Sequence, residues 1–153
     1  MISKKVFQQL TRKGLTIAFA ESMTGGLMTY ELIKNPGASK VIKGSIVAYS
    51  DEEKVNLLGI SKDLISKHSV VSKEIAMEMA IRIQCQIKSS IGVGITGNAG
   101  PSLQKGTNKQ EVWIGISTEY HQQAYHLDLS GLSRIQAIRK ATRFTYEKLT
   151  VLI

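Results

Sequence analysis

Residues 15–26 read LTIAFAESMTGG. A short apolar run, Leu15 to Ala20, passes without a break into Glu21-Ser22-Met23-Thr24-Gly25-Gly26. The run is too short for a free-standing helix and predicts a buried strand over 15–20. The residues after the glycines, Leu27 to Lys34, predict a helix that stops at Asn35-Pro36-Gly37. The polar, glycine-rich segment therefore sits at a strand-to-helix junction. Amide groups point outward there and the helix dipole favours negative charge.

Working outward, the same grammar recurs. Ser3 predicts the cap of a first helix that carries Val6, Phe7 and Leu10 on one face and stops at Gly14. GSIVAY, residues 44–49, is a second strand. Ser50 and Glu53 have the spacing of a capping box for a short helix carrying Lys54 and ending at Gly59. Ser61 to Lys67 predicts another short helix. Ser72 opens a long one, in which Ile75, Met79, Ile83 and Ile87 form a core stripe and Cys85 packs among core residues. SIGVGIT, residues 90–96, is a third strand. Residues 102–110 are polar loop. Residues 112–117 and 123–129 form two more strands, paired as a hairpin across 119–122. A basic amphipathic helix starts near Ser133. Helices alternating with short apolar strands predict an α/β fold, a three-layer α/β/α sandwich. The late hairpin makes the sheet mixed, though mostly parallel.

Composition narrows the function. The 153 residues are 42% hydrophobic and 21% charged, with two prolines, so one globular domain spanning 1–153 is expected and global disorder is excluded. No window of roughly 18 uncharged apolar residues exists, and the N-terminus has no signal-like apolar run. A single cysteine rules out an intrachain disulfide. These features predict a cytoplasmic protein without a membrane anchor. The net charge of +8 fits steering of an anionic ligand, binding to nucleic acid, or a merely solvated surface. The basic residues are dispersed and aromatics are only 6% of the chain, which argues against nucleic acid as partner. His68, His121 and His126 are scattered, so no metal site is expected. Gly92-Val93-Gly94-Ile95-Thr96-Gly97 matches G-x-G-x-x-G by letter, but its first two glycines fall inside the strand, and dinucleotide binding is rejected.

In open α/β sheets ligands bind beyond the carboxyl ends of the strands. Three segments fall at such ends: 21–26, 49–54 and 96–101. Ser22 is either a nucleophile exposed at its turn or a cap for the next helix. Lys54 is either a general base, if burial keeps its amine neutral, or a surface lysine paired with Asp51. Tyr49 could relay a proton or hold the lysine. The amides of Thr24, Gly25 and Gly26 could cradle an oxyanion or a phosphate.

AESMTGG (20–26), VAYSDEEKVNLLGI (47–60), VVSKEIAMEMA (70–80) and ITGNAGP (95–101) resemble, in order and spacing, the CinA C-terminal domain family. Its usual forms are AESCTGG, VTYSNEAKxxLLGV, AVSxExAxxMA and TGIAGP. The resemblance is strong over about residues 14–118. It implies a nicotinamide-nucleotide amidase, which converts nicotinamide mononucleotide to nicotinic acid mononucleotide and ammonia with serine, lysine and tyrosine. Ser22, Tyr49 and Lys54 stand at those motif positions. The resemblance also implies a substrate pocket that includes Glu21, Thr24, Gly25, Gly26, Thr96, Gly97, Asn98, Ala99 and Gly100. Arg134 or Arg139 is the candidate partner for the phosphate or carboxyl group. A homodimer is expected, and no cofactor. Met23 stands for cysteine, Ser69 for a common glycine, Asn98 for isoleucine, and Ser102-Leu103 for glycines. Residues 108–115 and 130–139 have also drifted. The alternative implied by that drift is an inactive or substrate-shifted binding module of the same family.

Overall fold

A computed structural model describes residues 1–153. The elements run α1 (Ile2–Lys13), β1 (Ile17–Glu21), α2 (Leu27–Ile33), β2 (Ile42–Val47), α3 (Asp51–Asn56), α4 (Lys62–His68), α5 (Lys73–Ile87), β3 (Ile91–Gly97), β4 (Glu111–Ser117), β5 (Gln122–Asp128) and α6 (Arg134–Leu152). The strands form one sheet in the order β2-β1-β3-β4-β5. β1 is parallel to both of its neighbours, β4 opposes β3, and β5 opposes β4. Four strands therefore point one way and only β4 points back. The architecture is the mixed α/β/α sandwich that the sequence predicts.

Strand alternation divides the core in two. Ile17 and Phe19 of β1, with Ile91, Val93 and Ile95 of β3, face α1, α2 and α6. Tyr146 of α6 is buried in that layer and its hydroxyl donates to the Met28 carbonyl at 2.6 Å. Ala18 and Ala20 face the other way, toward Leu58, Ile60 and the Ile75, Met79 and Ile83 stripe of α5. The second face is lined by small residues for a reason. A Cβ on Gly92, Gly94 or Gly115 would collide with the backbone of α5 at Ala80 or Ala76. The first two glycines of the spurious dinucleotide pattern thus seat a helix directly on the sheet, where close approach replaces side-chain packing.

Several local expectations change. α1 begins at Ile2, and Ser3 lies inside it, buried, donating to Glu31 of α2 at 3.3 Å instead of capping. Ser50 does cap α3, accepting from the Glu53 amide, but the reciprocal half of a capping box is absent there. Ser133 and Gln136 make a complete one at the start of α6. Cys85 is exposed on the outer side of α5, not in the core. No helix is long and apolar enough to cross a membrane.

Candidate active site

Because β1, β2 and β3 are parallel, their carboxyl ends meet on one edge of the sheet. Ser22 follows β1, Tyr49 follows β2 and Asn98 follows β3. The three loops surround a cavity of about 380 Å³, lined also by Met23, Ser50, Asp51, Gly97, Ala99, Ser102, Leu103, Gln104 and Arg134.

Lys54 is the unusual residue. The capped first turn of α3 carries it inward, and it is 0% exposed. Its Nζ lies 3.1 Å from Ser22 Oγ, 3.2 Å from the Ala48 carbonyl and 3.5 Å from the Tyr49 carbonyl. It forms no salt bridge. Burial lowers its pKa from 10.5 to about 8, and the nearby Asp51 charge raises it against that trend. A neutral amine has two hydrogens and one lone pair. As an ammonium, Nζ donates to Ser22 Oγ and to both carbonyls; once neutral, with the two carbonyls taking its hydrogens, its lone pair is left for the Ser22 hydroxyl. The surface-lysine alternative is therefore excluded. So is the capping role for Ser22, since the cap position of α2 belongs to Gly26.

Tyr49 enters differently from expectation. Its main-chain carbonyl faces the lysine, while the residue as a whole is 58% exposed and its hydroxyl accepts from Arg134 Nη2 at 2.7 Å. Arg134 Nη1 donates to the Gly100 carbonyl at 2.8 Å. One guanidinium thus ties the loop after β2 to the loop after β3. Arg139, the other candidate, lines a separate cavity among α1, α2 and α6, with Ser3, Tyr30 and Thr142. Five residues along a helix rotate a side chain by about 140° away from the starting face.

The donor set also shifts. The Gly25 amide is bonded to the Ser22 carbonyl and the Gly26 amide to Glu21 Oε1. Of the three expected amides only that of Thr24 has no acceptor in the chain, and the Met23 amide joins it. Glu21 is fully buried and faces away from the cavity. Its carboxylate accepts from the hydroxyls of Thr24 and Thr29 and from the amides of Gly26, Met28 and Thr29. Thr96 is buried and donates to the Val70 carbonyl at 2.8 Å, outside the cavity.

Asn98 lines the cavity but spends its amide on the rim loop. It donates to Thr107 Oγ1 at 2.8 Å and to the Lys109 carbonyl at 3.3 Å, and accepts from the Gln104 amide at 3.0 Å. Gln104 in turn donates to the Gly97 carbonyl. The lining residues that sequence reasoning missed are Met23, Ser50, Asp51, Ser102, Leu103 and Gln104. Ser50 and Asp51 lie within the motif that carries Tyr49 and Lys54, so their place was readable. The contribution of 102–104 depends on how the rim folds back and has no local signature.

The fold and the site define a class: an α/β/α domain with a buried serine–lysine pair at the carboxyl edge of its parallel strands. The sequence matches the model of the CinA C-terminal domain over residues 1–153, and the chain belongs to that family. A competence-damage inducible protein of Lysinibacillus sphaericus is 39% identical over 99% of this chain, and one of Streptococcus equi is 38% identical over 88%. Those alignments cover 36% and 32% of the relatives, so the chain spans about a third of the length of the curated relatives it matches. Among solved structures, a competence or damage-inducible protein from Enterobacter asburiae superposes with a TM-score of 0.94 at 27% identity, covering 99% of this chain and 95% of that one. A CinA superfamily protein from Escherichia coli gives 0.93 at 25% identity, covering 100% and 91%.

Proposed function

We propose that residues 1–153 form one amidohydrolase domain that removes the carboxamide nitrogen of nicotinamide mononucleotide. The observation that carries this reading is the buried, carboxylate-free Lys54 amine 3.1 Å from Ser22 Oγ. A lysine whose pKa is lowered by burial carries a neutral fraction near pH 7 that can serve as a general base, and a serine hydroxyl needs such a base to attack a carbonyl.

The steps follow from those groups. Lys54 Nζ takes the Ser22 proton as Oγ bonds to the carboxamide carbon. Negative charge develops on the carbonyl oxygen, where the free Met23 and Thr24 amides supply donors. The Lys54 ammonium then returns its proton to the departing nitrogen, the C–N bond breaks and ammonia leaves. A water molecule, deprotonated by the same amine, attacks the acyl ester, and Ser22 leaves with its proton restored. The product is nicotinic acid mononucleotide. No metal or organic cofactor enters these steps. Arg134 presents a guanidinium at the cavity wall, a group suited to an anionic substrate oxygen. A homodimer belongs to this reading through the family resemblance, and a cytoplasmic location through the composition.

The test is ammonia release from nicotinamide mononucleotide by the purified chain. Ser22→Ala and Lys54→Met are each expected to lower kcat by at least about 10³-fold. Wild-type turnover unchanged in Ser22→Ala would remove the nucleophile. A Tm that rises with added nucleotide while no ammonia forms would favour the binding-module alternative.

A further inference from the structure

We propose that Glu21 is a positioning residue, which shapes the turn after β1 so that the Met23 amide, on the cavity wall, and the Thr24 amide next to it remain free for the oxyanion. The inference rests on the amidase reading and adds a residue whose carboxylate never reaches the substrate.

The turn has few amides to distribute. The Ser22 amide pairs with the Ile95 carbonyl, and the Gly25 amide closes back on the Ser22 carbonyl. Glu21 collects the next ones. Oε1 accepts from Thr24 Oγ1 at 2.7 Å, from the Gly26 amide at 3.1 Å and from the Met28 amide at 2.9 Å. Oε2 accepts from the Thr29 amide at 3.0 Å and from Thr29 Oγ1 at 2.6 Å. No Lys, Arg or His balances this buried charge. Hydrogen-bond donors and the amino end of α2 hold it instead. Such a carboxylate has no lone pair to spare for a ligand. What it does is fasten the middle and far end of the 22–26 turn to the start of α2, while Ile95 holds the near end, leaving Met23 and Thr24 as the two amides without acceptors.

Glu21→Gln tests this, because a carboxamide can accept on one side only. Its NH₂ group must face either the Gly26 and Met28 amides or the Thr29 amide, so one of the two sets of bonds that fix the turn against the start of α2 is lost. Two readouts are used on the full chain. One is kcat and KM for ammonia release from nicotinamide mononucleotide. The other is the rate at which diisopropyl fluorophosphate labels Ser22, read by mass. In that reaction the Ser22 oxygen bonds to phosphorus, fluoride leaves with the P–F electrons, and Lys54 takes the proton. The phosphoryl oxygen calls on the same amides.

With folding verified by circular dichroism, Glu21→Gln is expected to lower kcat about 100-fold and slow labelling by a similar factor, with KM within about threefold of wild type. A raised KM at unchanged kcat would mean that Glu21 touches substrate and would overturn the proposal. Labelling and turnover at wild-type rates would overturn it too, leaving the amidase reading intact. If wild type is labelled but releases no ammonia, the slow labelling of Glu21→Gln still supports positioning while the amidase reading fails. A wild-type chain that is neither labelled nor active overturns both. If Glu21→Gln does not fold, Thr29→Val decides. It strips one hydroxyl from the same carboxylate outside the cavity, and the same two rates must fall, by a smaller factor.

Discussion

Lys54 Nζ and Ser22 Oγ stand 3.1 Å apart, joined by a hydrogen bond that spans 32 residues of sequence. The two carbonyls that share the amine, those of Ala48 and Tyr49, come from the loop after β2. The pair is thus assembled from three separate places in the chain, and each can be perturbed alone.

The protonation state of Lys54 sets the first expectation. Its pKa of about 8 means that roughly a tenth of the amine is neutral at pH 7, so kcat/KM for ammonia release should rise about tenfold per pH unit up to 8 and level off above it. The same shift acts on stability. The folded pKa lies below the ordinary 10.5, so between about pH 8 and pH 10 the unfolded chain holds the proton that the folded chain has lost, and stability rises with pH by about 2–3 kcal/mol. Urea titrations of wild type and Lys54→Met across that window check it, since the variant should lack this increment.

Tyr49 touches the lysine through its main chain, and its hydroxyl meets Arg134 instead. Tyr49→Phe keeps the carbonyl and loses only the Arg134 partner. Turnover should fall by less than about tenfold, against the much larger loss in Lys54→Met. A loss equal to that of Lys54→Met would show that the phenol itself moves a proton.

Asn98 bonds to Gln104, which lines the cavity, and to Thr107 and Lys109 farther along the same loop. Asn98→Ile restores the residue usual in the family motif and removes all three bonds. The Gln104 amide should exchange with deuterium at least about tenfold faster, stability should drop by about 1–3 kcal/mol, and KM should rise more than kcat falls. Unchanged exchange at Gln104 would show that the rim holds itself.

Ser69 sits at φ 72° and ψ 151°, a backbone region occupied almost only by glycine, and its hydroxyl is buried without a partner. Ser69→Gly should stabilise the chain by about 1–2 kcal/mol in urea denaturation and leave turnover unchanged. Lost stability would mean that the serine makes a bond this geometry lacks.

Much of the site was readable because its parts lie at strand ends. Ser22 and Lys54 each follow a short apolar run, and the motif order alone brings them to one edge once the strands are parallel. The orientation of Glu21 was also in reach. It shares alternation with Ile17 and Phe19, whose side chains face α1, α2 and α6. What local sequence could not show was main-chain chemistry. The carbonyls of Ala48 and Tyr49 and the free amides of Met23 and Thr24 have no letter of their own, so the tyrosine drew a role for its phenol and the glycines a role for their amides. Cys85 was misplaced because its helix neighbours Ile83 and Ile87 are apolar, although they project from a different side of α5. The choice between Arg134 and Arg139 needed the start of α6, which the Ser133–Gln136 capping box defines.

The reversal of β4 has a consequence for how such a domain can change. A parallel crossover would send the chain after β3 to the far side of the sheet. With β4 antiparallel, the chain leaves at Gly97 and re-enters at Glu111 on the same rim, and the first part of the connecting loop, through Gln104, walls the cavity beside Ser22. The loop is thus a stretch of chain separate from the strands whose ends carry Ser22 and Tyr49, and its residues can change while those strands keep their pairing.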